Sequence, residues 1–111
     1  MRAPLKFCFL LFDGVSSHCR ANAVEPLRAA NTCAGAQLYG WRYLSMDGQR
    51  VTSSSGLPVS PDAALDGAAG AALMVMPSYG YRQHATFSTL RALRRAAPRF
   101  EVLAGLDCGS W

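Results

Sequence analysis

Six consecutive apolar residues, Phe7-Cys8-Phe9-Leu10-Leu11-Phe12, closed by Asp13-Gly14, constrain this chain more than any other feature. Successive side chains of a strand point to opposite faces, so a strand with one wet face alternates apolar and polar residues; an unbroken apolar run has both faces covered. Strands of that kind lie inside parallel sheets, whose members are joined by crossover connections that are usually helices. The run therefore predicts an α/β fold. It is too short for a membrane helix, which needs about 20 apolar residues. Arg2 and Lys6 precede it as basic residues precede an export signal, but Asp13-Gly14 stands where a small-residue cleavage site belongs. A cytoplasmic location with no membrane partner is expected.

The rest of the chain keeps the alternation of strand and helix patterns. Ser16 or Ser17 is placed to cap a helix carrying Ala21, Val24, Leu27 and Ala30 at helical spacing, with Gly35 as its stop. Pro26 is expected to kink that helix or to begin a second segment. Trp41 to Met46 reads as a strand, with Asp47-Gly48 as a tight hairpin turn into Arg50 to Ser53. Asp62 is expected to cap a short helix through Leu65, and Ala71 to Met76 forms an apolar strand stopped by Pro77. Arg82 to Ala97 reads as an amphipathic helix with Phe87, Leu90 and Leu93 inward, ended by Pro98; Phe100 to Leu106 is a further strand. Asp107-Cys108-Gly109-Ser110-Trp111 then stands where a helix should begin, which predicts that residues 1–111 are the N-terminal part of a domain that continues.

With 50% hydrophobic and 16% charged residues, the chain is apolar enough for a packed core and too apolar for a disordered tail. The net charge of +4 comes mostly from Arg82, Arg91, Arg94, Arg95 and Arg99. Without interleaved aromatics that cluster reads as a solvated helix face rather than a phosphate grip. Cys8, Cys19, Cys33 and Cys108 contain no CxxC pair, and His18 and His84 complete no metal-ligand spacing with them. Reduced thiols, no metal and no cofactor are expected.

The segment Glu25-Pro26-Leu27-Arg28-Ala29-Ala30-Asn31, followed by Leu38-Tyr39-Gly40-Trp41, Ser45-Met46-Asp47-Gly48, Val51 and Ser53-Ser54-Ser55-Gly56, covers much of the chain in a fixed order. In this it resembles the N-terminal, class I glutamine-amidotransferase-like domain of AraC/XylS-type transcriptional regulators, within the PfpI/ThiJ superfamily. The resemblance implies a flavodoxin-like three-layer sandwich with a mostly parallel sheet, here truncated on its C-terminal side. It also implies a homodimer, and DNA contact only through a C-terminal helix-turn-helix domain outside this chain.

Enzymes of that superfamily place a cysteine at a strained turn after a strand, with a glycine two residues later, a carboxylate beside the thiol, and a Gly-Gly pair supplying oxyanion donors. That chemistry needs a thiolate, a partner tuning its pKa, and amide N–H groups facing the developing charge. Carried over by position, the cysteine site is Asp107, with Cys108 one residue out of register. The carboxylate site is Cys19, and the Gly-Gly pair is Pro77-Ser78, whose proline has no N–H to give. The resemblance thus implies a non-catalytic domain that senses a small-molecule effector. Asp107, Cys108, Ser78, Tyr79, His18 and Cys19 are the candidate ligand-binding residues, at the carboxyl ends of the strands where open α/β sheets bind ligands. An ionised Asp107 facing Tyr79 or a tryptophan suits a cation, and the resemblance points the same way, since it implies a small amine, a quaternary ammonium compound or an amino acid as the effector.

Two other readings stand beside this one: a cysteine-dependent hydrolase or hydratase using Cys108, and a dimerisation module without a ligand. Glu25 is expected to salt-bridge Arg28 or a neighbouring arginine, and Trp41 and Tyr43 to serve the core or a dimer contact.

Overall fold

A computed structural model describes residues 3–106, without the side chains of Gly80 and Tyr81. Its centre is a five-stranded sheet in the order β5-β2-β1-β6-β7, formed by β1 (Leu5–Leu11), β2 (Tyr39–Ser45), β5 (Ala63–Ala64), β6 (Gly70–Met76) and β7 (Phe100–Gly105). Every pairing in it is parallel. The apolar run supplies the middle strand: Phe9 pairs with Tyr43 on one side and Met74 on the other. Cys8, Phe9, Leu10 and Leu11 are at most 1% exposed, so both faces of β1 are covered as the unbroken pattern requires.

One helix layer covers each face. Helix α1 (Ser17–Ala34) lays Val24 and Leu27 on Phe9, Leu11 and Met76. Helix α3 (Phe87–Ala96) lays Leu93 and Ala96 on Cys8, Leu10 and Leu73. Helix, sheet and helix make the three-layer, mostly parallel architecture expected. Gly70 lets β1 and β6 meet at their start, since a Cβ there would come within 2.9 Å of the Lys6 carbonyl oxygen.

The helix ends are legible in the sequence. Ser16 is the N-cap of α1, its hydroxyl accepting from the Cys19 N–H at 3.1 Å. Gly35 ends the helix in the left-handed region (φ 63°) that costs glycine little. Asn31, last residue of the Glu25-to-Asn31 segment, ties α1 to β2: its Oδ1 accepts from the N–H groups of Leu38 and Tyr39, and its Nδ2 donates to the Tyr39 carbonyl. Glu25 pairs with Arg28 at 2.7 Å, as read from the sequence.

Four expectations need correction. Helix α1 continues through Pro26 as one element, so the proline begins no second segment; the helix's apolar face stays packed against the sheet although the proline removes one backbone donor. Asp47-Gly48 does not fold β2 into a hairpin. The Asp47 carboxylate accepts from the Gln49 N–H, the chain leaves the sheet, and β3 (Val51–Thr52) pairs antiparallel with β4 (Pro58–Val59) instead. Asp62 caps no helix; it pairs with β2 through its N–H to the Tyr43 carbonyl and its carboxylate to the Tyr43 N–H, leading into β5.

The fourth concerns the helix read from Arg82 to Ala97, which is two: α2 (Tyr81–His84) and α3, separated where Thr86 caps α3 by accepting from the Thr89 N–H. That cap sets the inward stripe of α3 as Thr89, Leu93 and Ala96. Phe87 is consequently 76% exposed rather than inward, and Leu90 also faces out.

Candidate functional site

The described part of the candidate site lies where β1 and β6 end. After β1 the chain turns at Asp13-Gly14, with Gly14 at φ 88°, and enters α1. After β6 it runs through Pro77 into a 3-10 turn, Ser78–Gly80. Ser78 is fully buried and adopts φ 54°, the left-handed region that a residue with a Cβ rarely occupies; the strain is held by its surroundings. Its hydroxyl oxygen accepts from the Ser16 N–H at 3.0 Å, and the Ser16 hydroxyl in turn accepts from the Cys19 N–H. The turn after β6 and the first turn of α1 are thus linked through Ser78, Ser16 and Cys19. Pro77, also fully buried, presents no N–H beside them.

Of the six candidate ligand residues, the fold brings Ser78 and Cys19 together through Ser16. Cys19 is half-buried against the apolar cluster under α1. His18 is exposed on the outer side of that first turn, its Nε2 3.0 Å from Asn22 Nδ2, and Tyr79 is 76% exposed. Asp107 and Cys108 lie outside the described residues. No three His, Cys, Asp or Glu side chains gather as a metal site among the described residues. No helix among them is long and apolar enough to cross a membrane.

Two neighbouring arrangements were not singled out in the sequence. His84 sets its ring 4.8 Å from Phe12 and its Nε2 2.8 Å from the Asp13 carbonyl oxygen, fixing α2 over the end of β1. Arg20 lies over Tyr43 of β2, 5.7 Å from the ring centre, with Nη1 donating to the Tyr43 hydroxyl at 3.3 Å. An arginine in the first turn of a helix with no acid there opposes the helix dipole, and that mismatch was the signal available. Cys8 is a different kind of thiol: desolvation by burial pushes its pKa up, against smaller opposite pulls from Arg42 and Lys6, so it stays protonated and unreactive.

The parallel sheet between two helix layers matches the fold of DJ-1/ThiJ/PfpI proteins. A ThiJ/PfpI family protein from Pseudomonas syringae superposes with a TM-score of 0.70 at 16% identity, covering 97% of this chain and 44% of that one. An AraC family transcriptional regulator from Pseudomonas putida superposes with a TM-score of 0.73 at 26% identity, covering 92% and 55%. In sequence, the chain's homologues are HTH-type transcriptional regulators. GbdR of Pseudomonas aeruginosa is 37% identical over 111 residues, 99% of this chain and 30% of the relative. CdhR of the same species is 38% identical over 105 residues, 94% of this chain and 31% of the relative. The chain thus spans about a third of the length of these curated relatives. No family model matches it. The resemblance to AraC-type regulators with a PfpI-like domain, carried by the Glu25-to-Asn31 segment and the motifs between Leu38 and Gly56, is borne out.

Proposed function

We propose that this chain is the non-catalytic, ligand-sensing and dimerising part of a cytoplasmic DNA-binding transcriptional regulator. DNA contact belongs to a helix-turn-helix domain elsewhere in the protein, and the effector is a small amine, a quaternary ammonium compound or an amino acid. The observation that carries this reading is the 37% identity to an HTH-type regulator along nearly the whole chain. Carried over by position from the resemblance, the turn after β6 supports it: Pro77 and the left-handed Ser78 fall where the resemblance implies a pair of glycine donors, and Cys19 falls where it implies a carboxylate. In this reading Asp107, Cys108, Ser78, Tyr79, His18 and Cys19 surround the effector. The effector acts by binding one arrangement of the dimer better than another, because only differential affinity shifts an equilibrium.

Thermal unfolding of the intact protein against a panel of amines, betaines and amino acids tests this. A specific effector raises the melting temperature in step with its concentration, and the same compound changes occupancy of the protein's DNA site. A panel without effect on either measurement overturns the sensing role. Iodoacetamide labelling across pH addresses the cysteine enzyme: Cys108 alkylated well below the ordinary thiol pKa of about 8.5 replaces this reading with that one.

A further inference from the structure

The outer side of α3 is a row of uncompensated positive charge. With Thr89, Leu93 and Ala96 inward, the positions i, i+4, i+7 and i+8 counted from Phe87 fall on the opposite face: Phe87, Arg91, Arg94 and Arg95, all exposed. The guanidinium of Arg91 lies over the Phe87 ring, 5.9 Å from its centre. No acidic residue occurs from Gly67 to Phe100. Among the described residues the salt bridge is Glu25–Arg28, on the helix that covers the other face of the sheet, so no described carboxylate neutralises the three arginines. Asp66 shares a shallow groove with Arg95 without pairing to it.

The needs of the fold account for only part of this row. Arg94 and Arg95 stand in the last turn of α3, where cations offset the negative end of the helix dipole. Arg99 closes the helix, its Nε and Nη2 donating to the Ala68 and Leu65 carbonyls and its Nη1 to the Arg95 carbonyl. Arg91 has neither role. It stands mid-helix, three and four residues from Arg94 and Arg95, at spacings where like charges oppose the helix. Arginines without an interleaved aromatic read as a solvated face; the fold turns Phe87 outward among them, and that ground falls away.

We infer that this face of α3 contacts the phosphate backbone of DNA, beside the bases read by the helix-turn-helix domain. The inference rests on the chain being part of a DNA-binding regulator, and it adds a second contact that positions the protein without reading sequence. Duplex DNA carries a negative charge about every 1.7 Å along its axis. Arg91 and Arg95, about 6 Å apart along the helix axis, span several of these charges. A second copy of the same face would bring arginine against arginine. DNA supplies the opposite charge, and the regulator's own DNA-binding domain holds it at high effective concentration, so a weak contact is enough.

The test uses the intact regulator and a DNA duplex of arbitrary sequence, with affinity read by fluorescence anisotropy across salt. Each phosphate contact contributes about 0.9 to the fall of log affinity with log salt. Arg91→Gln/Arg94→Gln is compared with Lys6→Gln/Arg50→Gln, which removes the same charge from exposed residues elsewhere. All four side chains are exposed, and melting temperatures show that each variant is folded. The α3 pair should lower the slope by about two, so that between about 50 and 200 mM salt it loses about tenfold less affinity than wild type does. The control pair should keep the wild-type slope, and Arg91→Lys/Arg94→Lys should retain most of it.

Equal changes in the two Gln pairs would assign the effect to net charge and overturn the contact. A wild-type slope in the α3 pair overturns it as well; weaker capture of that pair on phosphatidylserine vesicles would then assign the face to a membrane surface. Each of these results leaves the regulator reading standing, whereas a wild type without affinity for duplex DNA at low salt overturns both.

Discussion

Buried side chains carry the chemistry of this chain in opposite ways at Cys8 and Ser78. Cys8 lies on the middle strand, where burial disfavours its thiolate. A folded-state pKa raised above the unfolded one means that the native chain holds the proton over a pH range in which the unfolded chain has lost it. Stability is therefore fully present below the unfolded thiol pKa of about 8.5 and is lost as pH rises from there through the folded pKa. Denaturant unfolding from pH 7 to 10 should show a steeper alkaline loss for wild type than for Cys8→Ala, whatever the variant's stability at pH 7. Equal slopes would mean that the thiol is not desolvated. Ser78 is buried to the same degree, yet nothing in the local sequence Pro77-Ser78-Tyr79 announces a left-handed serine. The conformation is selected by the Ser16 N–H arriving from a distant part of the chain.

At the scale of elements, local sequence rules were reliable wherever the signal was itself local. Ser16 and Gly35 bound α1 because a hydroxyl at the start and a glycine at the end satisfy orphan backbone groups from within a few residues. The rules failed where a tertiary partner overrode them. The turn at Asp47-Gly48 carries a hairpin signature, but the end of β2 beside it pairs with β1 through Leu44 on one side. On the other side Leu44 and Ser45 pair with Ala63 and Ala64 of β5, where a hairpin partner would have to start. Asp62 has the chemistry of a cap, and the Tyr43 N–H of β2 claims its carboxylate instead. Asn31 is the clearest case of an element joint: three hydrogen bonds from one side chain fix the passage from α1 to β2. Asn31→Ala should destabilise the chain by about 2–3 kcal/mol, since it strands backbone groups of Leu38 and Tyr39. Asn31→Asp, which keeps the two accepting interactions and loses the donor, should cost less. Chemical denaturation of both variants checks the order.

For the whole molecule, the strand order sets where stability resides. β1 lies at the centre with a partner on both sides and a helix layer over each face, while β5 and β7 form the edges. On β7, Val102 and Leu103 remain about half exposed. Amides of Cys8 to Leu11 should accordingly be the slowest to exchange with deuterium, with those of β7 and β5 markedly faster. An exchange pattern with β7 as protected as β1 would contradict this layering.

By itself the sequence determined that the chain is α/β with a parallel sheet, because an unbroken apolar run can be satisfied only by burial on both faces. It also determined the ends of α1, because caps are satisfied locally. The tertiary structure alone decided which strands are neighbours, which way the face of α3 turns, and that Ser78 and Arg20 meet Ser16 and Tyr43. Those contacts join residues 62 and 23 positions apart, and their geometry exists only once the sheet has brought the elements together.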